Sequence, residues 1–189
     1  MARISTAYPL DASELDSLTP AERLDRQSVA VISHRPEIAA ALVQLGATLQ
    51  GETGTLPKRL TELVRLRIAF WNQCRSCMSV RYDPGAISEE LVCSLERPEE
   101  ADDLTAAEKA ALRYADLMAT DHLALDDAVH DELRLLFTEG ELVELGMHCA
   151  FYVGYGRLSA TWALHEHLHE RYRDEATEAF TPWGPGALR

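Results

Sequence analysis

Three Thr-x-x-Glu stretches, Thr19-Pro20-Ala21-Glu22, Thr105-Ala106-Ala107-Glu108 and Thr138-Glu139-Gly140-Glu141, constrain the fold of this chain more than any other feature. In such a box the threonine hydroxyl accepts the N–H three residues on, and the glutamate reaches back to the threonine N–H. Two orphan donors of a helix start are thereby satisfied. Pro20 takes the first helical position, where a missing N–H costs nothing. Pro36 opens a second kind of start, ahead of the Ala- and Leu-rich EIAAALVQLGATLQ, and Pro57 opens a third. From Lys58 to about Trp71, Leu60, Leu63, Val64, Ile68 and Trp71 fall at spacings of three and four, an apolar stripe for one helix face. Ser88 and Asp126 or Asp127 lead further short helices. The segment from Leu142 to Leu168 is a long apolar run in which Gly154 and Gly156 permit close packing or a kink. Period-two alternation between hairpin turns is not found, so the fold class is all-α.

With 47% hydrophobic and 26% charged residues, 189 residues can bury one core. A single helical domain is expected over residues 1–173, with an N-terminal arm at about 1–18 and a C-terminal tail over 174–189. The formal charge of −13, without a basic cluster, argues against nucleic acid as a partner. The first residues lack the apolar run of a signal peptide, and no run spans a bilayer, so a cytoplasmic location without membrane contact is expected. No flavin, haem or nicotinamide motif is present, and no cofactor is expected.

In a reducing compartment, four cysteines are not a disulfide scaffold. Two of them, Cys74 and Cys77, form a Cys-x-x-Cys pair before the Asp83-Pro84-Gly85 stop, where residues 74–82 read as a short helix of their own. A thiol in a first helical turn faces unpaired N–H groups, and Arg75 and Arg81 add positive charge; both favour thiolate. The spacing brings two sulfurs within reach of a reversible disulfide. Half a zinc knuckle is the first alternative, although Cys93 and Cys149 stand alone; two cysteines packed as small hydrophobes is the second. A thioredoxin scaffold would need strands that this chain lacks.

The stretch LTELVRLRIAFWNQCRSC, with Glu62 twelve residues before Cys74, resembles the signature of the carboxymuconolactone decarboxylase and alkylhydroperoxidase AhpD superfamily. His34-Arg35-Pro36, Leu104-Thr105-x-x-Glu108-Lys109-Ala110 and Phe137-Thr138 through Glu144 are similar to its other recurrent stretches, and the resemblance covers about residues 28 to 165. It implies an AhpD-like all-helical fold assembled as a homo-oligomer. It further implies that Cys77 attacks a hydroperoxide, that Cys74 resolves the product to a disulfide, and that Glu62 belongs to a proton relay. The partners implied are a small-molecule hydroperoxide or a protein disulfide, with a dithiol reductant such as a lipoyl group or a thioredoxin-like protein.

The chain departs from that pattern at the relay. Arg81 stands where the family usually carries a histidine, and Ser76 stands where AhpD itself has another. Arginine keeps its proton at physiological pH but can hold a thiolate or a substrate anion. Glu62 would then work through Tyr82, Ser76 or water; the alternative on spacing alone is a solvated helix residue paired with Arg65 or Arg59. Two other functions stay open: a lyase acting on a small acidic lactone, and a non-catalytic oligomeric binding or stress-response protein.

His165-Glu166-His167-Leu168-His169 matches H-E-x-x-H, but a zinc peptidase needs a further ligand and little chain follows. Charge favourable to a helix C-terminus is the simpler reading, and no metal is expected. His148 reads as a hydrogen-bonded core histidine, and Tyr152, Tyr155 and Trp162 as core or subunit-interface residues.

Overall fold

The computed structural model describes residues 2–51, 53–164 and 168. Their regular structure is entirely helical: α1 (Ala12–Ser17), α2 (Pro20–Ile32), α3 (Pro36–Gln50), α4 (Lys58–Trp71), α5 (Arg75–Ser79), α6 (Glu89–Ser94), α7 (Ala106–Thr120), α8 (Asp127–Arg134) and α9 (Glu139–Trp162), with single 3₁₀ turns at Pro98–Glu100 and His122–Ala124. All three capping boxes form. The Thr19, Thr105 and Thr138 N–H groups donate to Glu22, Glu108 and Glu141 at 2.9, 2.8 and 2.7 Å, and the hydroxyls accept in return.

Helix α4 is the axis of the packing. Leu63, Leu66 and Phe70 meet Met78, Leu91, Leu95 and Leu112 on one side; Leu60, Val64 and Ile68 meet Ala111, Ala115, Leu133, Leu145 and Cys149 on the other. The single stripe expected of this helix is therefore incomplete, because α4 is enclosed on all faces and takes Glu62, Arg65 and Arg67 into the interior with it. Each buried charge has a partner, as the cost of an unpaired one demands. Arg67 pairs with Asp116 at 2.7 and 2.9 Å and donates to the Leu95 carbonyl, while the Trp71 indole donates to the same carboxylate at 2.6 Å.

The N-terminal arm is docked rather than loose. Arg3 and Ala7 N–H groups donate to the Trp162 and Ala30 carbonyls, both at 2.8 Å, and Leu15 of α1 is buried. Helix α9 runs unbroken through Gly154 and Gly156. Gly154 faces open space, but a Cβ at Gly156 would come within 2.5 Å of Asn72 Nδ2. Asn72 has little freedom to yield, since Nδ2 donates to the Tyr152 carbonyl at 2.8 Å and Oδ1 accepts from Arg157 Nε at 3.1 Å. Gly156→Ala is expected to destabilise the fold by about 1–3 kcal/mol, measured as a lower urea midpoint, through this overpacking.

Glu144 of α9 ties down the loop ahead of α4: the Thr55 N–H and hydroxyl donate to it at 2.8 and 2.6 Å, and the Leu56 N–H at 3.3 Å. Burial opposes ionisation, but these donors outweigh it and hold the Glu144 carboxyl below its ordinary value. A depressed carboxyl contributes stability that is complete above the unfolded-state value and fades as pH falls through the folded one. Glu144→Gln is thus expected to lower stability at pH 7 by roughly 1–3 kcal/mol, with the gap from wild type closing as denaturant titrations are taken to acid pH.

Helix α3, though rich in Ala and Leu, buries only Ala39, and leaves Ile38 and Val43 each 51% exposed. No helix among the described residues is long and apolar enough to cross a membrane. The H-E-x-x-H stretch, Leu168 apart, and the expected tail lie outside the described residues.

Candidate active site

The cysteine pair is presented by the way α4 ends. The Cys74 N–H donates to the Ala69 carbonyl and the Gln73 N–H to the Phe70 carbonyl, both at 3.1 Å, the two bonds of a Schellman closure. Its left-handed position is held by Gln73, at φ 51°, where glycine is usual. This turn sets Cys74 at the N-cap of α5, with its sulfur accepting the Cys77 N–H at 3.3 Å. Both cysteines lie in the first turn, as expected. The helix over 74–82 is shorter than expected and stops at Ser79. Side chains claim the backbone beyond it: Arg65 takes the Cys77 and Val80 carbonyls at 2.8 and 2.9 Å, Arg81 takes those of Met78 and Val80, and Glu62 accepts the Tyr82 N–H at 3.0 Å.

Cys74 and Cys77 are joined as a disulfide, with 5.2 Å between Cα atoms. The two sulfurs are not equivalent. Cys74 is fully buried, whereas Cys77 is partly exposed and lines a cavity of about 520 Å³ between α2, α3, α4 and α9. Leu24, Leu42, Val43, Ala47 and Phe151 make its wall largely apolar, and Asp25, Arg65, Asn72, Tyr82, Tyr152 and Tyr155 supply polar groups.

The buried charge in this wall is an ion pair. Arg65 Nε and Nη2 meet the two Glu62 oxygens at 2.6 and 2.8 Å, and the side chains are 6% and 5% exposed. Glu62 is thus not a solvated helix residue. Its partner is Arg65, while Arg59 pairs with Glu108 at 2.7 Å. With both oxygens already accepting, Glu62 acts first as the anchor of Arg65, which in turn fixes the Cys77 carbonyl. Desolvation works against the Arg65 charge, but Glu62 more than compensates and keeps it above its ordinary value. Arg65 also lies over the Tyr82 ring, 5.0 Å from its centroid.

Arg81 is placed elsewhere: beyond its two carbonyl bonds it pairs with Glu89 of α6 at 3.1 Å, and it is not in the cavity wall. Ser76 is buried, its hydroxyl 3.5 Å from Cys74 Sγ. The other cysteines are poor competitors. Burial pushes the Cys149 thiol to about 12, and Cys93 is exposed outside the cavity. Burial likewise takes Tyr152 and Tyr155 to about 12 and Tyr82 well above its ordinary value, so all three phenols stay protonated.

His148 corrects one expectation. It is buried without a hydrogen bond among the described residues: Nε2 is 3.8 Å from Glu144 Oε1, and the ring stacks on Tyr152 with centroids 5.7 Å apart. Desolvation lowers its pKa and keeps it neutral, which is how so enclosed an imidazole is tolerated. Trp162 is core, as expected; Tyr152 and Tyr155 also pack against the core, and in addition they line the cavity. No cluster of metal-ligating side chains occurs among the described residues.

No family model matches the chain. Two uncharacterized proteins of Mycobacterium tuberculosis, from strains CDC 1551 / Oshkosh and ATCC 25618 / H37Rv, are each 38% identical over 118 residues, a match covering 59% of this chain and 40% of each relative. The chain therefore spans less than half the length of these curated relatives. Two crystal structures share its architecture. A protein of unknown function from Agrobacterium tumefaciens, described as an antioxidant defence protein AhpD, superposes with a TM-score of 0.65 at 20% identity, over 73% of this chain and 96% of that one. An uncharacterized peroxidase-related protein with an alkylhydroperoxidase AhpD core, from Ralstonia eutropha JMP134, gives 0.61 at 19% identity, over 89% and 94%. The chain has the all-α AhpD-like fold.

The site residues that sequence reasoning missed are Asp25, Phe151 and the central use of Arg65. Arg65 did leave a signal, a basic residue inside an apolar stretch three positions after Glu62; Asp25 left none.

Proposed function

We propose that this protein is a dithiol oxidoreductase that reduces an organic hydroperoxide at the Cys74–Cys77 pair. The observation that carries the reading is the asymmetry of the pair: Cys77 opens onto an apolar cavity and Cys74 sits fully buried behind it. A thiol that meets substrate while its partner is withheld from solvent suits an attacking and a resolving role. The Cys77 thiolate attacks the terminal peroxide oxygen, the O–O bond breaks, and the alcohol leaves a sulfenic acid on Cys77. The Cys74 thiol then displaces the sulfenic oxygen as water and forms the disulfide. A dithiol reductant, a lipoyl group or a thioredoxin-like protein, restores both thiols by exchange. Glu62 and Arg65 hold Cys77 in place during this cycle, and Arg81 shapes the end of α5.

The AhpD-like fold and the descriptions of the two structural neighbours named above point the same way. Homo-oligomeric assembly belongs to this reading, and the exposed Ile38, Val43, Val143, Met147 and Leu158 on α3 and α9 supply apolar surface for it. The test is steady-state consumption of tert-butyl hydroperoxide with dihydrolipoamide or thioredoxin as reductant. One reductant oxidised per peroxide, with alcohol as product, supports the reading; no turnover with either reductant counts against it.

A further inference from the structure

Peroxide reduction needs a group that takes the Cys77 proton and returns it to the departing alkoxide. Glu62, the side chain expected to serve, is engaged otherwise, and so is Arg81, which was expected to hold the thiolate or a substrate anion. Glu62 already accepts from Arg65 twice and from the Tyr82 N–H, and Arg81 pairs with Glu89 of α6. The cavity wall nevertheless contains another carboxylate. Asp25 of α2 accepts the Tyr82 hydroxyl proton at 2.6 Å, and Asp25, Tyr82, Arg65 and Cys77 line the same space.

Tyr82 is fixed by the ion pair that also fixes Cys77. Its N–H is held by Glu62 at 3.0 Å, its ring lies under Arg65, and Arg65 holds the Cys77 carbonyl at 2.8 Å. A phenol held in this way is a proton conductor, because its oxygen can accept one proton while its own moves on along an existing hydrogen bond. We propose that Asp25, working through the Tyr82 hydroxyl, stores the proton of the peroxidase cycle in place of the missing histidines. This inference rests on the peroxide chemistry proposed above.

The steps balance without an outside oxidant or reductant beyond those already named. The Cys77 thiol gives its proton to the Tyr82 oxygen as Tyr82 passes its own to Asp25. The thiolate attacks the hydroperoxide, the O–O bond breaks, and the alkoxide takes a proton from Tyr82 while Asp25 returns the stored one. Thiol and hydroperoxide become sulfenic acid and alcohol, and Asp25 ends as it began. Asp25 is exposed and Tyr82 37% exposed on the solvent side, and partial desolvation against the cavity wall raises the Asp25 carboxyl; the Tyr82 hydroxyl and Arg65 of α4 pull it down, Glu22 on its own helix pushes it up, and Tyr155 of α9 faces it. The net position is above the ordinary carboxyl value, which suits a group that must both take and give a proton.

Positioning alone would predict a different result from proton transfer, and the pH profile separates them. The full chain is reduced with dithiothreitol, freed of it, and mixed with tert-butyl hydroperoxide in single turnover, with thiol loss followed by quench and alkylation. Asp25→Asn keeps an acceptor for Tyr82 but cannot store a proton. It is expected to slow Cys77 oxidation about 10²-fold and to remove the acid limb of the rate profile, whereas Asp25→Glu restores both. Tyr82→Phe is expected to match it, and the double variant to be no slower than either single one, because the two act as a unit. A wild type that forms the disulfide, with Asp25→Asn or Tyr82→Phe reacting at the same rate and pH profile, overturns the relay and leaves the peroxide reading standing. A wild type that does not react with peroxide removes both. Should Asp25→Asn lose its helical circular dichroism, Tyr82→Phe alone decides.

Discussion

Serine at position 77 is expected to cut hydroperoxide reduction by at least about 10³-fold, while serine at position 74 is expected to spare the first chemical step and stop the cycle after it. The difference follows from where the sulfurs lie. Cys77 lines the cavity, so its loss removes the nucleophile, and neither Cys149 nor Cys93 replaces it; the first is buried with its thiol pushed to about 12, and the second lies outside the cavity wall. Cys74 is sealed behind Cys77, so its loss leaves the attack intact and strands the oxidised sulfur as a sulfenic acid with no partner. Dimedone labelling followed by mass spectrometry reads this directly: Cys74→Ser accumulates adduct on Cys77 after one equivalent of peroxide, and Cys77→Ser accumulates none on Cys74. Inverted phenotypes would exchange the two roles.

Arg65→Ala is expected to be the most damaging single change to stability, by roughly 3–5 kcal/mol. It would leave the Glu62 carboxylate, 5% exposed, with the Tyr82 N–H as its remaining donor among the bonds described, free the Cys77 carbonyl, and leave that of Val80 to Arg81. Removing both charges, as in Glu62→Leu/Arg65→Met, is expected to recover part of that loss, because a buried unpaired charge costs more than an apolar replacement of the pair. Urea titrations of the single and double variants give the coupling. Equal loss in single and double variants would mean that the carbonyl bonds, not the ion pair, dominate. The double variant is still expected to lose peroxidase activity, since Cys77 loses the group that orients it.

The helix plan was legible because its signals are local. Capping boxes at Thr19, Thr105 and Thr138 and prolines at 20, 36 and 57 act within a single turn, and the starts they imply are the starts observed. The end of α5 was not legible. It depends on Arg65 and Glu62 reaching 12 to 20 residues along the chain to take backbone groups that would otherwise continue the helix. The pair Cys74 and Cys77 could be picked out by spacing, and Glu62 by resemblance, but the burial that makes Glu62 an anchor could not. Asp25 is 57 residues from Tyr82 in sequence and sits among ordinary polar positions of α2, so only the packed structure joins them. Helix α3 shows the converse case: its apolar composition suggests burial, yet it buries only Ala39, turns Leu42, Val43 and Ala47 to the cavity and leaves Ile38 half exposed.

The most direct test of the redox reading is the single-turnover reaction of the fully reduced chain with limiting organic hydroperoxide, with its rate compared to that of free cysteine and its product mapped by mass spectrometry. The account predicts a reaction much faster than free cysteine, loss of two thiols per peroxide, and one new bond between Cys74 and Cys77 while Cys93 and Cys149 stay reduced. Thiols that react no faster than free cysteine, or a product with oxidation spread over all four, would contradict it.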